Sequence, residues 1–430
     1  MTLDELTPWL FSRTAGGIRW GLETTRELLA GVGDPHRRFH SVHIAGTNGK
    51  GSVAALCDGA LREGGRHRVG LYTSPHLVSF AERVRIDGRP APDAAIMAAA
   101  ERLLPAIERT GATFFEATTA IAFLCFAEAG VDVAVVEVGL GGRLDATNVL
   151  SPVITAVTNV SREHTEYLGD TVEEIAAEKA GIFKPGVPAL SAAAHPGVRA
   201  VLAARAAEVG APLVELDDVT RVRRVETDLH GTRLGFDSEL WGERELRVPL
   251  PGEHQARNAL LAVELLARLP ASLRPGWPEV ERGMAAVRWP GRLQVVERLG
   301  TTWLFDVAHN PAGAQTLARA LDSMDLPRPL LLLVAVLADK EWPEMLAPLA
   351  ARADSVVLTT APSAPPSRRW DPRAAAEWLA QERGVRARVV PDLAAAVRRA
   401  STLVPHGTVL VTGSFHTVGD AMAELGVPAG

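Results

Sequence analysis

Apolar residues fall along this chain in short unbroken runs rather than in strict alternation. "SVHIA" (41–45), "RVGLYT" (68–73), "VDVAVVEVG" (131–139) and "PVITAVTNV" (152–160) are such runs. They fit strands of a parallel sheet covered on both faces. Between and after them the spacing turns helical, at 52–63, 92–109, 117–129, 172–180 and 254–268. That rhythm predicts a doubly wound α/β domain. The charged stretch 214–250, with shorter strand-like pieces, predicts a β-rich end to it.

A Pro-Gly pair in "RWPGR" (288–292) interrupts the pattern, and the rhythm then restarts. "TTWLFDVA" (301–308), "PLLLLVAVL" (329–337), "SVVLTTA" (355–361), "RARVVP" (386–391) and "TVLVTGS" (408–414) read as strands of a second, smaller, Rossmann-like α/β unit. The boundary falls near 290, giving domains 1–288 and 289–430. "APSAPPSRRW" (361–370) reads as a loop from its Pro and Ser content.

The length, 430 residues with 47% hydrophobic, supports two cores. A net charge of −6 gives no sign of a nucleic-acid-coating surface. Two cysteines, Cys57 and Cys125, sit in apolar helix-like segments and read as buried thiols. The opening "MTLDELTPWLF" is acidic, unlike a signal peptide, and the longest apolar run (329–338) is half a membrane span. These features predict a soluble, cytoplasmic protein with no membrane or nucleic-acid partner.

Of 45 basic residues only four are lysine (Lys50, Lys179, Lys184 and Lys340), leaving 41 arginines. Where arginine serves almost everywhere, a retained lysine marks a position needing a compact amine. Lys50 lies in "HIAGTNGKGS" (43–52), a glycine-rich turn between a strand and a helix. Glycines there let backbone N–H groups face an anion, and the helix N-terminus adds its dipole. Lys50 would reach a β- or γ-phosphate and Ser52 a bound Mg²⁺. The general phosphate-loop pattern differs in having a glycine at the place of Ile44 and a hydroxyl residue directly after the lysine, where Gly51 stands here. The loop is read as binding a nucleotide triphosphate with magnesium.

The run 131–139 carries Glu137, and a glycine-rich turn with Arg143, Asp145 and Asn148 follows. A carboxylate at the carboxyl end of a strand lies where an open α/β sheet meets its ligand, and its oxygens suit Mg²⁺. The stretch 158–186 adds His164 after a strand and Lys179 on a helix.

"HIAGTNGKGS", "TSPHL" (73–77), "FFEATTAIAF" (114–123), "EVGLGGRLDATN" (137–148), "EHTEYLGDTVEEIAAEKAGIFK" (163–184), "GEHQARNAL" (252–260), "GRLQ" (291–294) and "DVAHNPAG" (306–313) occur in order. Together they resemble folylpolyglutamate synthase/dihydrofolate synthase, a branch of the Mur-ligase-like ATP-dependent amide ligases. The loop with glycine between lysine and serine, and the "TSPHL" segment, favour the folate branch over the cell-wall branch.

The resemblance implies roles for individual residues. Gly46, Thr47, Asn48, Gly49, Lys50, Gly51 and Ser52 would cradle the ATP phosphates. Ser52 and Glu137 would bind one Mg²⁺, and His164 would contribute to a second metal position. Lys179 matches a lysine that is carbamylated in the superfamily and so becomes a carboxylate-like metal ligand. Lys50, Lys179 and His164 would form the catalytic set. Asn258 and Arg292 would contact the adenine nucleotide, Asp306 its ribose, and His309 would lie near it across the domain gap. Ser74 and His76, with Phe114 and Phe115 near the ring, would serve the folate, and Lys340 the incoming amino acid or phosphate. The family's usual Asp before the histidine is Glu163 here, one methylene longer.

The implied reaction is activation of a pterin-borne carboxylate by ATP, then amide formation with L-glutamate, by an enzyme expected to be a monomer. The acceptor, dihydropteroate or a reduced folate with its glutamyl tail, stays open. A GTPase-type switch is disfavoured, since none of the five asparagines precedes a lysine as Asn-Lys-x-Asp requires.

Overall fold

The computed structural model describes residues 2–13, 20–298 and 300–428; Met1 of the acidic opening stretch lies outside them. The first sheet contains β1 (His40–Ala45), β2 (Val69–Tyr72), β3 (Val84–Ile86), β4 (Arg89–Pro90), β5 (Val133–Glu137), β6 (Ile154–Val157), β7 (Ala189–Ser191) and β8 (Leu213–Glu215). Their order is β4-β3-β2-β5-β1-β6-β7-β8. Six strands are mutually parallel, and β3 and β4 form an antiparallel edge. The expected parallel sheet is corrected at that edge. Asp87 and Gly88, with φ of 50° and 78°, make the tight turn that a parallel pair cannot use.

The unbroken apolar runs have a direct cause. In β5, Val133 and Val135 enter one core with Ile44, Leu56 and Leu261, while Ala134 and Val136 enter the opposite core with Tyr72, Phe123 and Phe126. Both faces are therefore dry. The helix Lys50–Glu63 covers the first face and Phe114–Glu128 the second, the latter opened by a Thr113–Glu116 capping box. The phosphate-loop helix starts at Lys50, two residues before the sequence expectation, because Gly49 turns the chain with φ of 87°.

Three antiparallel strands, β9 (Thr220–Asp228), β10 (Gly231–Ser238) and β11 (Gly242–Val248), form the β-rich end. Their Leu234, Phe236 and Leu246 join the core shared with the helix Glu253–Ala267.

The second sheet has β12 (Gln294–Arg298), β13 (Thr301–Phe305), β14 (Leu330–Val334), β15 (Ser355–Leu358), β16 (Ala387–Val389) and β17 (Thr408–Thr412), ordered β12-β13-β17-β14-β15-β16. Only β12 is antiparallel. Its sequence, "QVVER", is half-exposed and carries two apolar residues, too few to announce a strand. Leu332 and Val334 face one core and Leu331 and Leu333 the other. Cys57 and Cys125 are buried free thiols. Among the described residues no helix is long and apolar enough to cross a membrane.

Candidate active site

The carboxyl ends of both sheets open onto one cavity of about 1530 Å³. Its walls include Gly46 to Ser52, Glu137, Glu163, His164 and Lys179 from the first domain, and Arg292, Asp306, His309 and Lys340 from the second. A cleft outside the carboxyl ends of α/β strands is the usual ligand position, and here two such ends face each other.

The phosphate loop leaves β1 with Gly46 at φ 147° and enters its helix at Gly49. A Cβ on Gly46 would lie 1.9 Å from Thr158 Oγ1, and one on Gly49 would lie 2.5 Å from Asn258 Oδ1. Neither position accepts a side chain. The strand-end loop after β6 holds the turn from the other side. The Thr47 and Asn48 N–H groups donate to Asn159 O (2.8 Å) and Asn159 Oδ1 (2.9 Å), and Thr158 Oγ1 donates to Asn48 O (2.7 Å). Lys50 Nζ lies over the loop, donating to Gly46 O (3.0 Å) and Thr47 O (3.1 Å). Ser52 Oγ is buried without a hydrogen-bond partner.

Glu137 is buried at the end of β5 and accepts the Ser74 N–H at 3.1 Å. Burial raises its pKa, and Lys50 opposes the shift. Asp145 shapes the turn that follows, accepting the Gly139 (3.0 Å) and Leu140 (2.8 Å) N–H groups.

Lys179 ends the helix Val172–Ala180, which begins with a Thr171–Glu174 capping box. Its ammonium, 1% exposed, donates to Glu163 Oε1 at 2.7 Å. Burial lowers the Lys179 pKa, with Glu163 pulling the other way. Burial would raise Glu163, but Lys179 and Lys50 together hold its carboxyl at about 2. Burial also lowers His164 to about 4 and His309 to about 4, so both imidazoles are neutral near pH 7. His309 Nδ1 sits 2.9 Å from Val307 O.

The entry to the second domain is held by Asp306. Its carboxylate accepts the Leu293 N–H (3.0 Å) and the Ala308 N–H (2.9 Å) and is raised to about 6 by burial, against the pull of Arg292. Leu293 itself has φ of 49°, a strained value for a branched side chain. Arg292 stacks over Phe415, 5.4 Å from the ring centre. Lys340 lies 3.9 Å from Asp339, which Arg368 holds with two hydrogen bonds (2.9 and 2.7 Å).

Ser74 and His76 line the same cavity, but Phe114 and Phe115 do not. Phe11, from the helix Leu3–Ser12, stacks on Phe114 at 4.5 Å and stands on the wall in its place. On the same wall Arg83, mostly buried, donates to His76 Nδ1 at 2.8 Å and lies over Phe114 at 5.0 Å. Asn258 packs against Gly49 and donates to Gln255 at 2.9 Å.

Sequence reasoning missed Phe11, Arg83, Asn159 and Asn310. An amphipathic leading helix and an arginine ending a short turn, Phe80–Arg83, carry no local mark of a binding wall. Asn310 lies in the quoted "DVAHNPAG", where its Pro at the next position signals a helix cap. Its side chain accepts the Gly313 N–H (2.7 Å) and reaches the phosphate loop, donating to Asn48 Oδ1 at 3.0 Å and accepting from Asn48 Nδ2 at 3.4 Å.

Two family models match the chain: the Mur ligase middle domain over residues 44–266, and the Mur ligase glutamate ligase domain over 291–415. A probable bifunctional folylpolyglutamate synthase/dihydropteroate synthase of Haloferax volcanii is 38% identical over 98% of this chain, which spans 50% of that longer protein. The folylpolyglutamate synthase of Lacticaseibacillus casei is 35% identical over 90% of each chain. The solved Mycobacterium tuberculosis folylpolyglutamate synthase complexed with ADP and AMPPCP superposes with a TM-score of 0.89, at 36% identity, over 99% of this chain and 98% of that one.

Proposed function

Since the chain belongs to the Mur ligase family, on its folylpolyglutamate synthase/dihydrofolate synthase branch, and is an ATP-dependent ligase, we propose that it adds L-glutamate to dihydropteroate, to the glutamyl tail of folates, or to both. The observation that carries this reading is the facing of the phosphate loop and Glu137 toward Asp306, His309 and Lys340 across one cavity.

The acceptor's carboxylate oxygen attacks the γ-phosphorus of ATP, the bond to the β–γ bridging oxygen breaks, and ADP leaves. The amine of glutamate then attacks the acyl carbon, loses a proton, and displaces phosphate. Lys50 offsets charge on the phosphoryl group in flight, and the loop's N–H groups hold its neighbours. Residues 1–288 carry ATP and the pterin acid, residues 289–430 bring glutamate, and closure keeps water from the acyl phosphate.

The donor set fits Mg²⁺. Ser52 Oγ is buried with no partner, Glu137 offers a hard oxygen on the same cavity wall, and a bound Mg²⁺ would take its other ligands from water and substrate phosphates. Ser52 and Glu137 would hold one ion and neutral His164 would serve a second, with Lys179 contributing once carbamylated. Bound there, magnesium supplies charge neutralisation to the phosphates. The lowered amine pKa of Lys179 favours the neutral form that reacts with carbon dioxide. Asn258 and Arg292 would contact the nucleotide, Asp306 its ribose, and Ser74 and His76 the acid. We take the enzyme to act as a monomer.

The deciding experiment is a substrate panel of ATP, Mg²⁺ and glutamate with dihydropteroate and then tetrahydrofolate, counting residues added. ADP release without any amide product in either arm would overturn the reading.

A further inference from the structure

The second domain meets the first at two loops that bear on the reaction. One contact is the pair of amides described above: Asn310, 4% exposed, spans the gap to Asn48 at the tip of the phosphate loop. The other is a seat without a side chain. A Cβ on Gly419, in the helix Phe415–Glu424, would lie 2.0 Å from Leu77 O of the "TSPHL" loop.

Asn310 does two separable jobs with one carboxamide. Its oxygen caps the helix Pro311–Asp322 through the Gly313 N–H, which fixes the side chain's rotamer. Its nitrogen, so aimed, donates to Asn48, whose own backbone is held by Thr158 and Asn159. The second domain therefore touches the phosphate loop through a group rigid on both sides. Such a contact forms only when that domain is seated.

We infer that Asn310 is a positioning residue that ties seating of the second domain to the working shape of the phosphate loop. It acts through Asn48 and touches no substrate. The inference rests on the ligase reading above. Without the tie, the loop still binds nucleotide and forms acyl phosphate, but the domain seats loosely. Water then takes the place of glutamate, and the acyl phosphate returns to carboxylate and free phosphate.

The test uses the full-length enzyme and three variants. Asn310→Ser keeps a capping oxygen but cannot span to Asn48; Asn310→Ala loses both cap and bridge; Asn48→Ser removes the bridge from the other side. The expected result for Asn310→Ser is a kcat for amide formation lower by about tenfold, the worth of two neutral hydrogen bonds. Thermal stability should match wild type, while Asn310→Ala melts lower. The molar ratio of ADP released to glutamate incorporated should rise above its wild-type value in Asn310→Ser. The Asn48→Ser/Asn310→Ser double variant should be no worse than the poorer single one, because both remove one interaction. The inference is overturned if Asn310→Ser keeps the wild-type kcat and ratio, if its loss merely follows the loss of stability seen in Asn310→Ala, or if the two serine changes multiply. A wild-type enzyme that joins no glutamate to any pterin acid would instead remove the ligase reading itself.

Discussion

The Lys179 ammonium and the Glu163 carboxylate meet at 2.7 Å in a site where the lysine is 1% exposed. The helix Val172–Ala180 delivers the amine, and the loop after β6 delivers the acid. Breaking such a pair from one side leaves a buried charge alone, which costs about 3 kcal/mol or more. With Lys179 uncarbamylated, Glu163→Gln should therefore lower unfolding free energy by about that much, and Glu163→Gln/Lys179→Met should recover part of it. Urea denaturation measures both. An unchanged midpoint in the single variant would show that the pair contributes nothing to the fold.

Lys50→Ala should abolish glutamate-dependent ADP release. Loss of a charge aimed at a transferring phosphoryl group costs on the order of 10³-fold in kcat. The melting temperature should fall modestly, because Lys50 hydrogen-bonds only carbonyls of its own loop but its charge also offsets buried Glu137 and Glu163. Steady-state turnover near the wild-type rate would refute the assigned role.

Gly49→Ala should weaken ADP binding by at least about tenfold, since the new Cβ meets the Asn258 carboxamide and the backbone sits at φ 87°. Adding Asn258→Ala removes the collision but not the backbone strain, so the double variant should recover affinity only in part. Calorimetric titration with ADP separates the two. Full recovery would show that strain at residue 49 is negligible.

The fold was legible where both sheet faces are dry, since continuous apolar runs such as 131–139 can only be buried strands or buried helices. It was illegible at β12 and at the β3–β4 edge, where half-exposed, charged strands look like loops. For the site, the glycine loop, Glu137, His164 and Lys179 stand out locally, each beside a recognisable element, whereas His309 enters only through the family resemblance. Phe11 taking the wall position expected of Phe114, and Asn310 reaching Asn48, depend on how distant segments pack. Neither leaves a trace in the spacing of residues.

Asp306 gives the pH dependence. Its folded pKa, about 6, lies above the ordinary 3.8 because of burial. A raised carboxyl contributes stability that is fully present below the ordinary value and is lost as pH rises through 6. Across that window the wild type should lose about 3 kcal/mol relative to Asp306→Asn, the product of the shift and 1.36 kcal/mol per unit. Denaturation midpoints of the two proteins from pH 4 to pH 7 check this. Parallel curves would mean that Asp306 titrates as an ordinary carboxyl.

Three of the four lysines, Lys50, Lys179 and Lys340, stand on the wall of one cavity, and Lys184 is engaged with Asn148. The rest of the surface carries its positive charge on guanidinium groups, which acylating reagents leave alone. Among side chains, an amine-selective label thus reports mainly on this cavity without any targeting group. Protection by ADP, read by mass spectrometry at only four side chains, becomes a direct occupancy map of the cleft.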